Sequence, residues 1–183
     1  MNFKTITIEQ HDNNPIGALY GPTGPNTTMT SGDNITWTGV FIPATDIETN
    51  GNVLTLSANY IDAFGNTGVV SSLSNIFAVD TIRPTVSSFT ISNSVLKIGE
   101  TATVTIIFSE PVTSFSKTNI TNNEDLSNGI PHFNNMKWTF IYTAPPSVEN
   151  QEVVLTLNDT WTDLAGNRVI IMLFYCYIII TIK

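Results

Sequence analysis

The sequence predicts an all-β protein: an antiparallel Greek-key β-sandwich present in two copies, the first of them truncated. Three observations carry this. Apolar and polar residues alternate with a period of two along several short segments, which buries one face of a strand and wets the other. Clusters of Gly, Pro and Asn separate those segments at turn spacing. Charged residues make up only 12% of the chain, against about 25% on average. The polar remainder is mostly Thr, Ser and Asn, which suits strands and turns better than long solvated helices.

The second half shows the elements most clearly. Ala102, Val104, Ile106 and Phe108 alternate with Thr101, Thr103 and Thr105. Trp138, Phe140 and Tyr142 alternate with Lys137, Thr139 and Ile141. Val153, Leu155 and Leu157 alternate with Val154, Thr156 and Asn158. Turn signals fall between them at Ile98-Gly99-Glu100, Ser109-Glu110-Pro111, Ser127-Asn128-Gly129, Ala144-Pro145-Pro146 and Ala165-Gly166-Asn167. No stretch carries a 3.6-residue apolar period with caps. About seven short strands in roughly 90 residues point to an Ig-like sandwich. The Cys–Trp–Cys spacing of antibody domains is absent, and with Cys176 as the one cysteine no intrachain disulfide can form.

A shift of 101 positions aligns Asp33–Asn66 with Asn134–Asn167 without a gap and gives 11 identities in 34 positions, where chance gives about two. Trp37-Thr38 falls on Trp138-Thr139, Val53-Leu54-Thr55-Leu56 on Val154-Leu155-Thr156-Leu157, and Asp62-Ala63-Phe64-Gly65-Asn66 on Asp163-Leu164-Ala165-Gly166-Asn167. Two copies of one module are the economical reading. The boundary falls near Val79–Pro84. Residues 1–79 are then a partial repeat lacking its first strands, 80–167 a nearly complete one, and 168–183 an aberrant hydrophobic tail.

The segments Val79-Asp80-Thr81-Ile82-Arg83-Pro84-Thr85-Val86, Gly99–Thr105, Phe108-Ser109-Glu110-Pro111-Val112, Trp138-Thr139-Phe140 and Asp163–Asn167, in this order, resemble the bacterial Ig-like repeats of very large surface and secreted adhesins. The resemblance covers residues 78–167 well and 33–84 as a partial copy. It implies non-catalytic extender modules outside the cell, stacked end to end against neighbouring repeats of the same polypeptide and often stiffened by calcium.

Within the second copy, Ser109-Glu110-Pro111 reads as the loop between the second and third strands and Asp163–Asn167 as the loop between the last two. An Ig sandwich places those loops at the end where the chain begins. Asp80, Glu110, Asp163 and Asn167 are therefore expected to converge, with Asp46 and Glu48 of the first copy's turn across the seam. Gathered carboxylates repel one another unless a cation lies among them. Calcium takes six to eight oxygen ligands, and the thiolates or paired imidazoles that favour zinc or copper are missing. Two readings stand for this loop: a Ca²⁺ site that restricts the hinge between copies, or a plain Asx turn with Gly166 at positive φ. Affinity, if calcium binds, is expected at about 10⁻⁴–10⁻³ M. Asp62 and Asn66 form the corresponding, weaker candidate.

Other function classes find little support. Seven basic against fifteen acidic residues give a net charge of −8, which disfavours nucleic acid and anionic membrane surfaces. His11 and His132 are isolated, and no nucleophile–base arrangement is present, so no enzyme is expected. Gly21-Pro22-Thr23-Gly24-Pro25 lacks the Lys of a phosphate loop. The triplets beginning at Asn26, Asn34, Asn119 and Asn158 fit the glycosylation pattern, as chance produces in a chain rich in Asn and Thr. Trp37 and Trp138 lie in strand patterns and are expected in the core rather than stacked on sugar. The alternative function is a carbohydrate- or protein-binding Ig-like module with a host or matrix ligand.

The tail, Val169–Ile180, is 12 apolar residues, too short for a membrane-spanning helix of about 20. Its β-branched and aromatic residues suit a strand whose outward face would be greasy, an aggregation-prone edge. No polar alternation survives in it. It reads as a disrupted end, with a membrane-associating tail as second choice. The start, Met1–Glu9, lacks the apolar run of a signal peptide, so an extracellular location would require another export signal or a longer parent chain.

Overall fold

The computed structural model describes residues 8–10, 17–21, 24–25, 33, 35–36, 38–52, 54–56, 62, 64–67, 75–146, 151–170 and 174–181. These residues are nearly all β, in sheets that are antiparallel except for the β9–β16 pairing, with the architecture of an Ig-like sandwich. The one helical turn among them is a 3₁₀ turn at Lys117–Asn119. The chain divides into two compact units, Met1–Ile82 and Arg83–Lys183.

In the first unit, β1 (Ile8–Gln10) pairs with β6 (Leu54–Leu56). Strand β2 (Gly17–Gly21) runs between β3 (Gly24–Pro25) and β4 (Val40–Pro43), and β5 (Glu48–Asn52) pairs with β7 (Phe77–Asp80). Phe41 and Phe77 meet edge to face, with ring centroids 5.6 Å apart. Trp37 and His11 lie outside the described residues.

The second unit holds two sheets. One is built from β8 (Val86–Ile91), β10 (Thr101–Phe108), β12 (Ile130–His132) and β13 (Lys137–Thr143), in the order β12-β13-β10-β8. The other takes β9 (Val95–Lys97), β14 (Gln151–Thr156) and β16 (Tyr175–Thr181), in the order β14-β16-β9. Strand β11 (Val112–Thr113) pairs with β15 (Thr162–Asp163), and Ile120 bridges Leu157, so residues 112–120 run alongside 157–163.

Period-two patterning explains the core. Ala102, Val104, Ile106 and Phe108 are buried from β10, Phe140 and Tyr142 from β13, and Leu155, Ile178 and Ile180 from the other sheet. Each such large side chain contributes about 1.5–3 kcal/mol by leaving water. Trp161 sits at the centre, fully buried, 4.7 Å from the Phe108 ring and 5.5 Å from Phe115. Its indole Nε1–H donates to the Asn158 carbonyl at 3.0 Å, so the buried donor is satisfied. Asn119, also buried, donates from Nδ2 to Asn158 Oδ1 (3.1 Å) and Thr160 Oγ1 (2.9 Å) and accepts the Ser116 N–H (2.8 Å). The glycosylation-like triplets at Asn119 and Asn158 are thus occupied in tying residues 116–121 to 158–160. Gly129 is required by close packing: a Cβ there would lie 2.5 Å from Phe140 Cε1 and 2.9 Å from Trp138 Cε3.

The tail differs from its sequence reading. Rather than an aberrant segment replacing the last strand, Tyr175–Thr181 is itself a strand, β16, and it is no edge: β14 flanks it on one side and β9 on the other. Cys176, Ile178 and Ile180 point into the core, while Tyr175, Tyr177 and Ile179 are about half exposed. The alternation is real in burial but invisible in polarity, because both faces are apolar. Its greasy outward face is present, as the strand reading expected. Among the described residues no helix is long and apolar enough to cross a membrane.

Candidate metal centre

The acidic loop at residues 163–167 is built by its own hydrogen bonds. The Asp163 N–H donates to the Asn167 carbonyl at 3.1 Å, while Asn167 donates its backbone N–H to Asp163 Oδ1 and its Nδ2 to Oδ2, both at 2.8 Å. Gly166 closes the loop at φ +94°, a conformation that costs glycine little. Thr113 Oγ1 donates to the Asp163 carbonyl at 2.9 Å, anchoring the loop to β11. The Asp163 carboxylate is thereby oriented and buried, only 2% exposed.

Glu110 lies in the corner between β10 and β11. Ser109 pins that corner: its Oγ accepts the Thr85 N–H at 2.9 Å, and its own N–H donates to the Thr85 carbonyl at 3.0 Å. Asp80 closes β7, and its Oδ1 accepts the Ile82 N–H at 3.2 Å. Carboxylate oxygens of Asp80, Glu110 and Asp163 all lie within 4.8 Å of one another.

That spacing decides what the group can hold. Oxygen ligands sit 2.3–2.6 Å from calcium, so oxygens on opposite sides of one ion are about 5 Å apart. All three carboxylates can therefore reach a single ion of that size. The donor set is oxygen only, two members are half-buried and the third is buried, so mutual repulsion is poorly screened and a hard divalent cation suits the cluster.

The geometry sorts the residues singled out in the sequence. Asp80, Glu110 and Asp163 come together. Asn167 belongs with them as the residue that orients Asp163. Asp46 and Glu48 are not in the group; Glu48 is the cross-strand partner of Asp80 in the β5–β7 ladder, and Asp46 is exposed in a turn at φ +59°. Asp62 and Asn66 repeat the loop in the first unit. Asn66 donates its N–H to Asp62 Oδ1 at 2.9 Å and its Nδ2 to Oδ2 at 2.8 Å, and Gly65 takes φ +85°. Those bonds, led by the one from the Asn66 side chain, hold the Asp62 carboxyl below its usual range.

His132 is exposed and hydrogen-bonds Thr139 Oγ1 at 2.9 Å. Trp138 is half-buried, bonded through Nε1 to the Asn135 carbonyl and packed against Phe115 and Phe140. Sequence reasoning missed Ser109 and Thr113, whose roles depend on partners 24 and 50 positions away. No local signal announces such partners.

The second unit is thus an Ig-like sandwich domain that carries Glu110 and Asp163 on two of its loops. Residues 80–170 match the family described as Bacterial Ig-like domain, a stretch that contains all three carboxylates. This part of the chain is a bacterial Ig-like domain. No curated protein and no solved structure matches the chain.

Proposed function

We propose that the chain is a non-catalytic structural segment of a bacterial cell-surface or secreted adhesin, in which Ig-like modules follow one another in tandem and a calcium ion is held by Asp80, Glu110 and Asp163. The observation that carries the module reading is the recurrence of one local geometry at the sequence repeat. A shift of 101 positions carries the Asp62–Asn66 loop, with its paired Asn-to-Asp hydrogen bonds, onto the Asp163–Asn167 loop. The same shift carries the cross-strand pair Asn52–Phe77 onto Val153–Ile178. Two stretches that share sequence and loop bonding are economically read as copies of one module.

The ion would be held by the three carboxylates, with Asn167 orienting Asp163. Bound calcium supplies positive charge that offsets their repulsion and so stabilises the folded domain. With an affinity of about 10⁻⁴–10⁻³ M, raising calcium to about 10 mM adds about 1.4–2.7 kcal/mol, a rise of several degrees in Tm for a domain of this size. Calorimetric titration and melting of the full chain, with calcium and with chelator, test this. Glu110→Gln should abolish the calcium-dependent rise. No heat and no change in Tm at millimolar calcium would remove the cation from the reading.

A further inference from the structure

The sequence contains two Asn-Gly pairs, Asn50-Gly51 and Asn128-Gly129. Asparagine is a thermolabile residue, and glycine is the following residue that shields it least. With no Cβ beside it, the glycine nitrogen can approach the asparagine Cγ and close a succinimide ring. The two pairs differ in their settings. Asn50 and Gly51 lie within β5, where the ladder to β7 shifts register between Thr49 and Asn52, and Gly51 takes φ +77°. Asn128 and Gly129 lie outside any ladder, between Leu126, which bridges Tyr142, and β12, the edge strand of its sheet. Asn128 is exposed. Among the described residues its carboxamide has no hydrogen-bond partner, and nothing accepts the Gly129 N–H.

Ser127 adds a specific contact. Its N–H donates to the Ile141 carbonyl at 2.8 Å and its Oγ accepts the Ile141 N–H at 2.9 Å, which ties it to β13. The same hydroxyl donates to the Asn128 carbonyl at 3.1 Å. That carbonyl belongs to the peptide unit whose nitrogen is Gly129 N. A hydrogen bond to the oxygen polarises the unit and draws electron density from its nitrogen, so the Gly129 N–H gives up its proton more readily. Ring closure needs that proton removed. Gly129 is also held in place, since its packing against Phe140 and Trp138 leaves no space for a Cβ. A fixed nitrogen, made more acidic by Ser127, therefore lies beside a carboxamide free to turn about its side-chain bonds. Among the described residues no hydroxyl donates to the Asn50 carbonyl.

We propose that Asn128 is a site of spontaneous deamidation, promoted by the Ser127 hydroxyl. The Gly129 nitrogen loses its proton and attacks Asn128 Cγ. The new C–N bond forms, the bond from Cγ to the side-chain nitrogen breaks, and that nitrogen leaves as ammonia with the proton. Water then opens the succinimide at either of its carbonyls. One opening gives aspartate. The other gives isoaspartate, in which the main chain runs through the former side-chain carbon. Either product adds a negative charge to a chain already at −8. Isoaspartate also lengthens the backbone immediately before Gly129, whose seat against Phe140 and Trp138 has no room to spare. It therefore displaces β12 from its register of Ile130–Thr139, Pro131–Trp138 and His132–Lys137. The site is independent of the calcium and module readings.

Incubation of the folded full chain at physiological temperature and mildly alkaline pH tests this, with peptide mapping that separates asparagine, aspartate and isoaspartate at each position. Asn128 should convert several-fold faster than Asn50, with both products present, and Asn128→Gln should remove the acidic species that arises there. Ser127→Ala should slow conversion at Asn128 several-fold and leave Asn50 unchanged. The sign of that change separates the two roles of Ser127. Loss of its tie to Ile141 loosens the segment and would speed conversion, whereas loss of the bond to the Asn128 carbonyl slows it. An Asn128 that stays intact, or converts no faster than Asn50, would overturn the site. Equal or faster conversion in Ser127→Ala would overturn the promotion by Ser127.

Discussion

Ile178 and Ile179 are neighbours in sequence and identical in chemistry, yet the structure assigns them opposite fates. Ile178 is fully buried between β14 and β9, whereas Ile179 is 46% exposed on the outer face. Truncating Ile178 to Ala removes three buried carbons and leaves a cavity, at a cost of about 2–5 kcal/mol. Truncating Ile179 costs about 1 kcal/mol or less, the span of strand propensity at a half-exposed position. The contrast is read by urea unfolding at fixed pH, followed by fluorescence of the buried Trp161, with the slope of the transition checked for constancy. Ile178→Ala should shift the midpoint strongly and Ile179→Ala weakly. If the two variants unfolded within about 0.5 kcal/mol of each other, a range typical of surface substitutions, β16 would not be packed in the core. The C-terminal segment would then have to return to the status of an appendage.

Three further outcomes follow from close packing and burial. Gly129→Ala forces a methyl group against Phe140 and Trp138 and should cost about 1–3 kcal/mol, with partial recovery in the double variant Gly129→Ala, Phe140→Leu; thermal melts decide it. Tyr142 buries its hydroxyl without a hydrogen-bond partner, and burial pushes its pKa up to about 12. Tyr142→Phe should therefore leave stability unchanged or raise it by about 1 kcal/mol, and a loss of that size in denaturant would contradict the packing. Burial also pushes the Cys176 thiol from 9.0 to about 11. The folded state keeps this proton where the unfolded chain gives it up, so stability is complete below pH 9.0 and falls as pH rises towards about 11. Unfolding measured across that window should show a shallower decline in Cys176→Ala, and a thiol reagent should label the native chain only as fast as it unfolds.

How much was legible in advance depends on the kind of signal. Strand β10 was plain because threonines alternate with Ala102, Val104, Ile106 and Phe108, and one such strand states its own burial pattern. The Asp163–Asn167 loop was plain because its bonds span four positions. Strand β16 was hidden because Tyr175, Tyr177 and Ile179 are as apolar as the residues they alternate with, so the period of two leaves no trace in polarity. Trp161 as the centre of the core, and Asn119 as a buried tie, were hidden for another reason. Each depends on partners brought close by the pairing of residues 112–120 with 157–163.

By itself the sequence determined an all-β chain, the positions of most strands in the second unit, and the self-similarity at 101 residues, since those are written in local alternation, turn residues and identity. Tertiary structure decided which of the expected carboxylates form the group, Asp80, Glu110 and Asp163 without Asp46 and Glu48, and that the apolar end becomes an inner strand parallel to β9. The physical reason is range. Alternation and turns are settled by neighbours along the chain, whereas a carboxylate cluster and a strand's place in a sheet are settled by which distant backbones find hydrogen-bond partners.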